Sequence, residues 1–84
     1  MSLESELKQY RKIQAYIQFK QDCAALIQEA EADPTRRAYL RGLHDEVKAS
    51  GRALGLLISG MEGAEVRDLF ELVKQRLTEL GVIQ

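Results

Sequence analysis

His44-Asp45-Glu46 is the one place in this 84-residue chain where a histidine stands beside carboxylates. Such a triplet could hold a metal ion or pass a proton. Consecutive residues on a helix point about 100° apart, however, so the three cannot converge on one ion. There is no second histidine, and the single cysteine, Cys23, is not at ligand spacing. The triplet therefore reads as a solvated helix face. Cys23 has no histidine near it in sequence to activate it, and it lies in an apolar arc where a free cysteine acts as a small hydrophobe. With no converging acid, base, nucleophile or metal set, the chain reads as non-enzymatic, with no cofactor.

Arg36, Arg37, Arg41, Lys48 and Arg52 form the one basic concentration. Arg36 and Arg37 fall where a helix begins, and cations are disfavoured at that end. A phosphate or nucleic-acid contact through Arg36, Arg37 and Arg41 would explain them. So would local compensation by Glu29, Glu31 and Asp33 just across the turn, which is the preferred reading. The glycines match no phosphate loop: none is followed by Lys-Ser or Lys-Thr.

Composition sets the class. The chain is 45% hydrophobic and 30% charged, with one proline and no tryptophan, a helix-rich profile rather than a disordered one. Net charge is −1, so no global field draws in nucleic acid or an anionic membrane. A lone cysteine fits a reducing compartment, and a cytoplasmic location is expected. The longest apolar run, Ala53 to Met61, is too short to span a bilayer. The opening Met-Ser-Leu-Glu has no basic region and no apolar signal core.

The elements that must position these residues read as three helices in a single all-helical domain, 1–84. Helix 1 covers 3–32, capped at Ser2, with Glu4 and Glu6 at its positive end. Its apolar residues cover more than half the circumference. Leu3, Tyr10, Ile17 and Ala24 recur every seven, Ile13 and Ile27 lie beside them, and Tyr16, Phe19, Cys23, Leu26 and Ala30 widen the arc. A surface helix needs an apolar stripe only about 100° wide, so the excess predicts contacts on two sides: one within the chain and one beyond it, or two internal helices straddling this one. Asp33 as cap and Pro34 as first helical residue predict helix 2 over 34–58, antiparallel to helix 1. Its heptad seam, Leu40, Leu43, Val47, Ser50, Leu54 and Leu57, continues to Met61 and Ala64 and crosses Ser50-Gly51 unbroken. Ser59 and Glu62 form a capping box that starts helix 3, 60–80, with the stripe Val66, Leu69, Phe70, Val73, Leu77 and Leu80. Gly81 suits the position after its end.

A row of small residues, Gly51, Gly55, Ser59 and Gly63, runs beside the seam and predicts close helix approach, so that alanine at Gly55 should destabilise. The architecture expected is an antiparallel hairpin with a third helix packed on it, a self-associating three-helix bundle with coiled-coil character. The function expected is protein–protein interaction through apolar helix faces: a small regulator, adaptor or binding chaperone. Its partner would be a second copy or another helical protein, with Tyr10, Ile13, Tyr16, Ile17, Phe19, Leu26, Gly51 and Gly55 as interface candidates. Phe19 is the residue whose replacement by Glu should shift an oligomer toward monomer. A nucleic-acid-binding regulator using Arg36, Arg37 and Arg41 is the alternative.

Overall fold

A computed structural model describes residues 3–58 and 60–84, with the side chains of Met61 and Glu62 excepted. It is all-helical: α1 (Leu3–Ala32), α2 (Arg37–Gly55) and α3 (Gly60–Glu79), each in contact with the other two. The expected cap at Ser2 and the capping box of Ser59 and Glu62 lie outside the described residues.

The first turn is built by Asp33. Its N–H donates to the Glu29 carbonyl at 3.1 Å, closing α1. Its carboxylate then accepts from both the backbone N–H and the hydroxyl of Thr35. These hydrogen bonds hold the Asp33 carboxyl below its ordinary pKa, with the nearby Arg36 charge adding to the effect. That side-chain turn uses the capping group locally. Pro34 and Thr35 stay outside the helix, and α2 begins at Arg37 rather than at Pro34. The result is still a tight reversal, and α1 and α2 are antiparallel.

α2 runs unbroken through Ser50-Gly51, as the seam requires, and buries Leu40, Val47 and Leu54. It stops at Gly55, three residues short of the expectation. Leu56 and Leu57 donate to carbonyls three residues back, Ala53 and Leu54, which tightens the last turn and turns Leu57 half out to solvent. Gly60, at φ +69°, redirects the chain into α3. α3 ends in a Schellman motif: Val82 N–H reaches the Leu77 carbonyl at 2.9 Å, Gly81 N–H reaches Thr78 at 3.1 Å, and Gly81 takes φ +77°. The turn tucks Val82 under the bundle, fully buried.

One core joins the three helices: Phe19, Cys23, Leu26 and Ala30 from α1, Leu40, Val47 and Leu54 from α2, and Val66, Val73, Leu77 and Val82 from α3 and its tail. No described residue before Phe19 is buried. The reason is length. α1 has 30 residues, about 45 Å, against 19 and 20 for its partners, about 30 Å each. The surplus falls at its N-terminal end, which projects from the bundle as an arm. The molecule accordingly measures 50 × 20 × 16 Å.

Candidate interaction surface

The arm carries the principal exposed apolar surface. Leu3 is 70% exposed, Leu7 47%, Tyr10 60%, Ile13 50% and Ile17 44%. At 100° per residue these five share a stripe about 120° wide, centred about 170° around the helix from the core face of Phe19, Cys23, Leu26 and Ala30. The helix therefore changes its apolar side between Ile17 and Phe19. On the arm, the side continuous with the core face is polar: Ser5, Lys8 and Lys12. Two separate stripes on opposite sides, rather than one broad arc, account for the apolar excess in α1.

This separation sorts the interface candidates. Tyr10, Ile13 and Ile17 lie on the outward stripe, with Leu3 and Leu7 extending it. Phe19 and Leu26 do not: at 2% and 1% exposure they are the chain's own core, so Phe19→Glu would unfold the bundle rather than probe an interface. Tyr16 is half-buried at the base of the arm and donates its hydroxyl to the Glu65 carboxylate on α3. Leu7 is missing from the candidates because seven-residue spacing passes over it; only the three-dimensional stripe brings it in.

The small-residue row divides as well. A Cβ at Gly51 would stand 3.1 Å from Cε2 of Phe19, so the close approach predicted there exists, made by a ring. At Gly55 a Cβ would meet nothing within 4 Å. The expectation that alanine at Gly55 overpacks an interface within the bundle is therefore corrected. Gly55 lines an open groove between α2 and α3, floored by Gly51, Val66 and Phe70 and rimmed by Lys48, Arg52 and Arg67.

The polar candidates also find places. His44 is not on a solvated face. It is half-buried, its ring stacks on Phe70 with centroids 5.3 Å apart, and its Nε2 is sealed from water with no hydrogen-bond partner. Burial lowers its pKa; Asp45 raises it, while Lys48 and Lys74 lower it further. The heptad pattern missed this because His44 lies beside Leu43, at the seam's edge, and the third helix covers that edge. Cys23 is 1% exposed, and burial, with a smaller contribution from Asp22, pushes its thiol up to about 11. It is a neutral thiol at physiological pH. No cluster of three or more His, Cys, Asp or Glu able to hold a metal ion forms among the described residues.

The basic group at the start of α2 is partly occupied. Arg41 donates through Nε to the Val82 carbonyl at 3.0 Å, fastening the C-terminal tail to α2. The Arg36 guanidinium lies over the Tyr39 ring at 4.2 Å, a cation–π contact. Arg37 is exposed. At the acidic end of α1 the Arg36 charge acts on Asp33 across the turn as expected, whereas Glu31 pairs with Arg76 of α3 at 2.9 Å and Glu29 accepts from the Tyr39 hydroxyl at 3.2 Å. Only α3, which the turn sequence cannot see, provides that partner. No described helix is long and apolar enough to cross a membrane. No family model, curated protein or solved structure matches the chain.

Proposed function

We propose that the chain is a small non-enzymatic protein–protein interaction module, of the regulator or adaptor kind, that binds another helix through the outward stripe of α1. The observation that carries this reading is the change of apolar side within one helix. The part of α1 inside the bundle turns its apolar residues inward, and the projecting part turns them to a stripe centred about 170° away, where they stay exposed and where Ile13, at its flank, shares a groove with Leu57 and Ile58. All five large apolar side chains stay exposed at those positions. They pack only if a partner covers them, and large contiguous exposed apolar patches are typical of interaction sites. The shape of the stripe, straight and one helix long, suits a helical partner.

The test is affinity capture from the native host, with the wild-type chain as bait and Ile13→Glu as the matched control. Ile13 is outside the core, so the variant should keep its helical circular dichroism. Partner chains retained by the wild type and lost by the variant are the expected result. Identical capture by both would overturn the reading.

A further inference from the structure

The outward stripe is palindromic. Leu3, Leu7, Tyr10, Ile13 and Ile17 step by 4, 3, 3 and 4, and so read the same in both directions about Tyr10. A surface that repeats itself on reversal is self-complementary under a two-fold axis perpendicular to the helix. Laid against a reversed copy of itself, every apolar residue meets an apolar residue: Leu3 meets Ile17, Leu7 meets Ile13, and Tyr10 meets Tyr10. Leu7 and Ile13 sit on opposite flanks of the stripe, about 60° to either side of its centre, so in each pair one side chain fills the flank the other leaves open.

The charges favour the same direction. Beside the stripe the charge runs from acidic to basic, with Glu6 near the tip and Arg11 and Lys20 further along, while Lys8 and Lys12 lie on the opposite side of the helix. Antiparallel pairing about Tyr10 sets Glu6 beside residue 14 of the other copy, along the helix between its Arg11 and its Lys20. Parallel pairing would set Glu against Glu and Arg11 against Arg11, and would align the two helix dipoles unfavourably. A net charge of −1 leaves little overall repulsion between copies.

The chain as a whole carries surplus surface. The chain exposes 6119 Å², whereas a compact monomer of 9.5 kDa exposes about 5,000 Å². The excess, about 1,000 Å², is comparable to the roughly 800 Å² that each partner contributes to a stable interface. The arm also needs support, since a free helix of about a dozen residues is marginal in water.

From these observations we infer that the occupant of the outward stripe is a second copy of this chain, paired antiparallel through α1 about a two-fold axis at Tyr10. This rests on the interaction-module reading and names its partner. The bundles then lie at opposite ends of a short helix pair, because the stripe lies on the projecting N-terminal end of α1 and the pairing is antiparallel.

Sedimentation and disulfide trapping test it together. The wild type at micromolar concentration should sediment at twice the 9.5 kDa chain mass, and Tyr10→Glu at the single mass with unchanged helicity. For direction, Leu3→Cys and Ile17→Cys chains, one of them isotopically labelled, are mixed and mildly oxidised. The mixed disulfide should dominate, with the wild type, whose Cys23 is buried, as the uncrosslinked control. Dominant Leu3→Cys homodimers would show parallel pairing and overturn this inference. A strictly monomeric wild type would also overturn it, while leaving partner capture through the same stripe intact. A dimer indifferent to both Tyr10→Glu and Ile13→Glu would place the interface elsewhere and remove both readings.

Discussion

Gly51 and Gly55 occupy equivalent places in one sequence row, four residues apart, yet substitution should affect them in opposite senses. Gly55→Ala adds a methyl to open space and trades glycine's backbone freedom for helix propensity, so it should stabilise by roughly 0.4–1 kcal/mol. Gly51→Ala receives the same propensity gain but drives a methyl to 3.1 Å from a Phe19 ring that is 2% exposed and has little room to retreat. Urea denaturation of the two variants side by side should rank Gly51→Ala below Gly55→Ala; the reverse order would mean that the ring yields freely. His44 belongs to this scale too. Its pKa is lowered on folding, so the unfolded chain takes up a proton first. The stability tied to neutral His44 is fully present above its unfolded value of about 6.5 and is lost as pH falls from there through the folded value. Urea midpoints at pH 5 and pH 7.5 should show that loss in the wild type and less of it in His44→Phe, which keeps the stack on Phe70 and removes the orphaned nitrogen.

Among the elements, α1 has two halves with different stabilities. From Phe19 onward it is held by the core, Ala15 and Tyr16 still pack against the bundle, and the tip is held mainly by its own hydrogen bonds. Amide hydrogen exchange in dilute solution should therefore be fast over 3–12 and slow over 19–30, and protection of the arm should rise with protein concentration as copies pair. An arm equally protected at all dilutions would mean that the helix needs no partner. α3 depends on its last turn. Gly81 holds a left-handed backbone that an L side chain resists by about 1–2 kcal/mol, so Gly81→Ala should lower stability by about that amount. Part of the loss would come from Val82, which that turn buries and whose carbonyl receives Arg41. A neutral Gly81→Ala in chemical denaturation would show that the tail holds its place without the turn.

For the whole molecule, extension is the governing fact. Its radius of gyration is 14.4 Å, against about 12 Å for a compact chain of this length. A chain this short has little core, and antiparallel pairing would add a second buried surface to it. Its thermal midpoint should then rise with protein concentration, and Tyr10→Glu should melt at one temperature whatever the concentration. A wild type with a concentration-independent midpoint would place all of its stability in the single bundle.

What the amino-acid sequence determined by itself is everything set by local periodicity and local stereochemistry. The three helices follow from unbroken apolar spacing, the continuity of α2 from a seam that keeps phase across Ser50-Gly51, and the end of α3 from a glycine placed where a left-handed residue is required. The apolar excess on α1 was legible as well, as a need for contacts on two sides. The tertiary structure alone decided which residues serve which side. Phe19 and Ile17 are two positions apart, equally apolar and about 160° apart around the helix, and only the side on which α2 and α3 pack separates the core residue from the exposed one. The same holds for Glu31, whose partner Arg76 lies 45 residues away, and for His44, which α3 covers. Periodicity measures angle around one helix; burial depends on which side the neighbouring helices take and where they stop, and that is fixed by turns such as the Asp33–Thr35 hydrogen bonds and the tightened turn after Leu54.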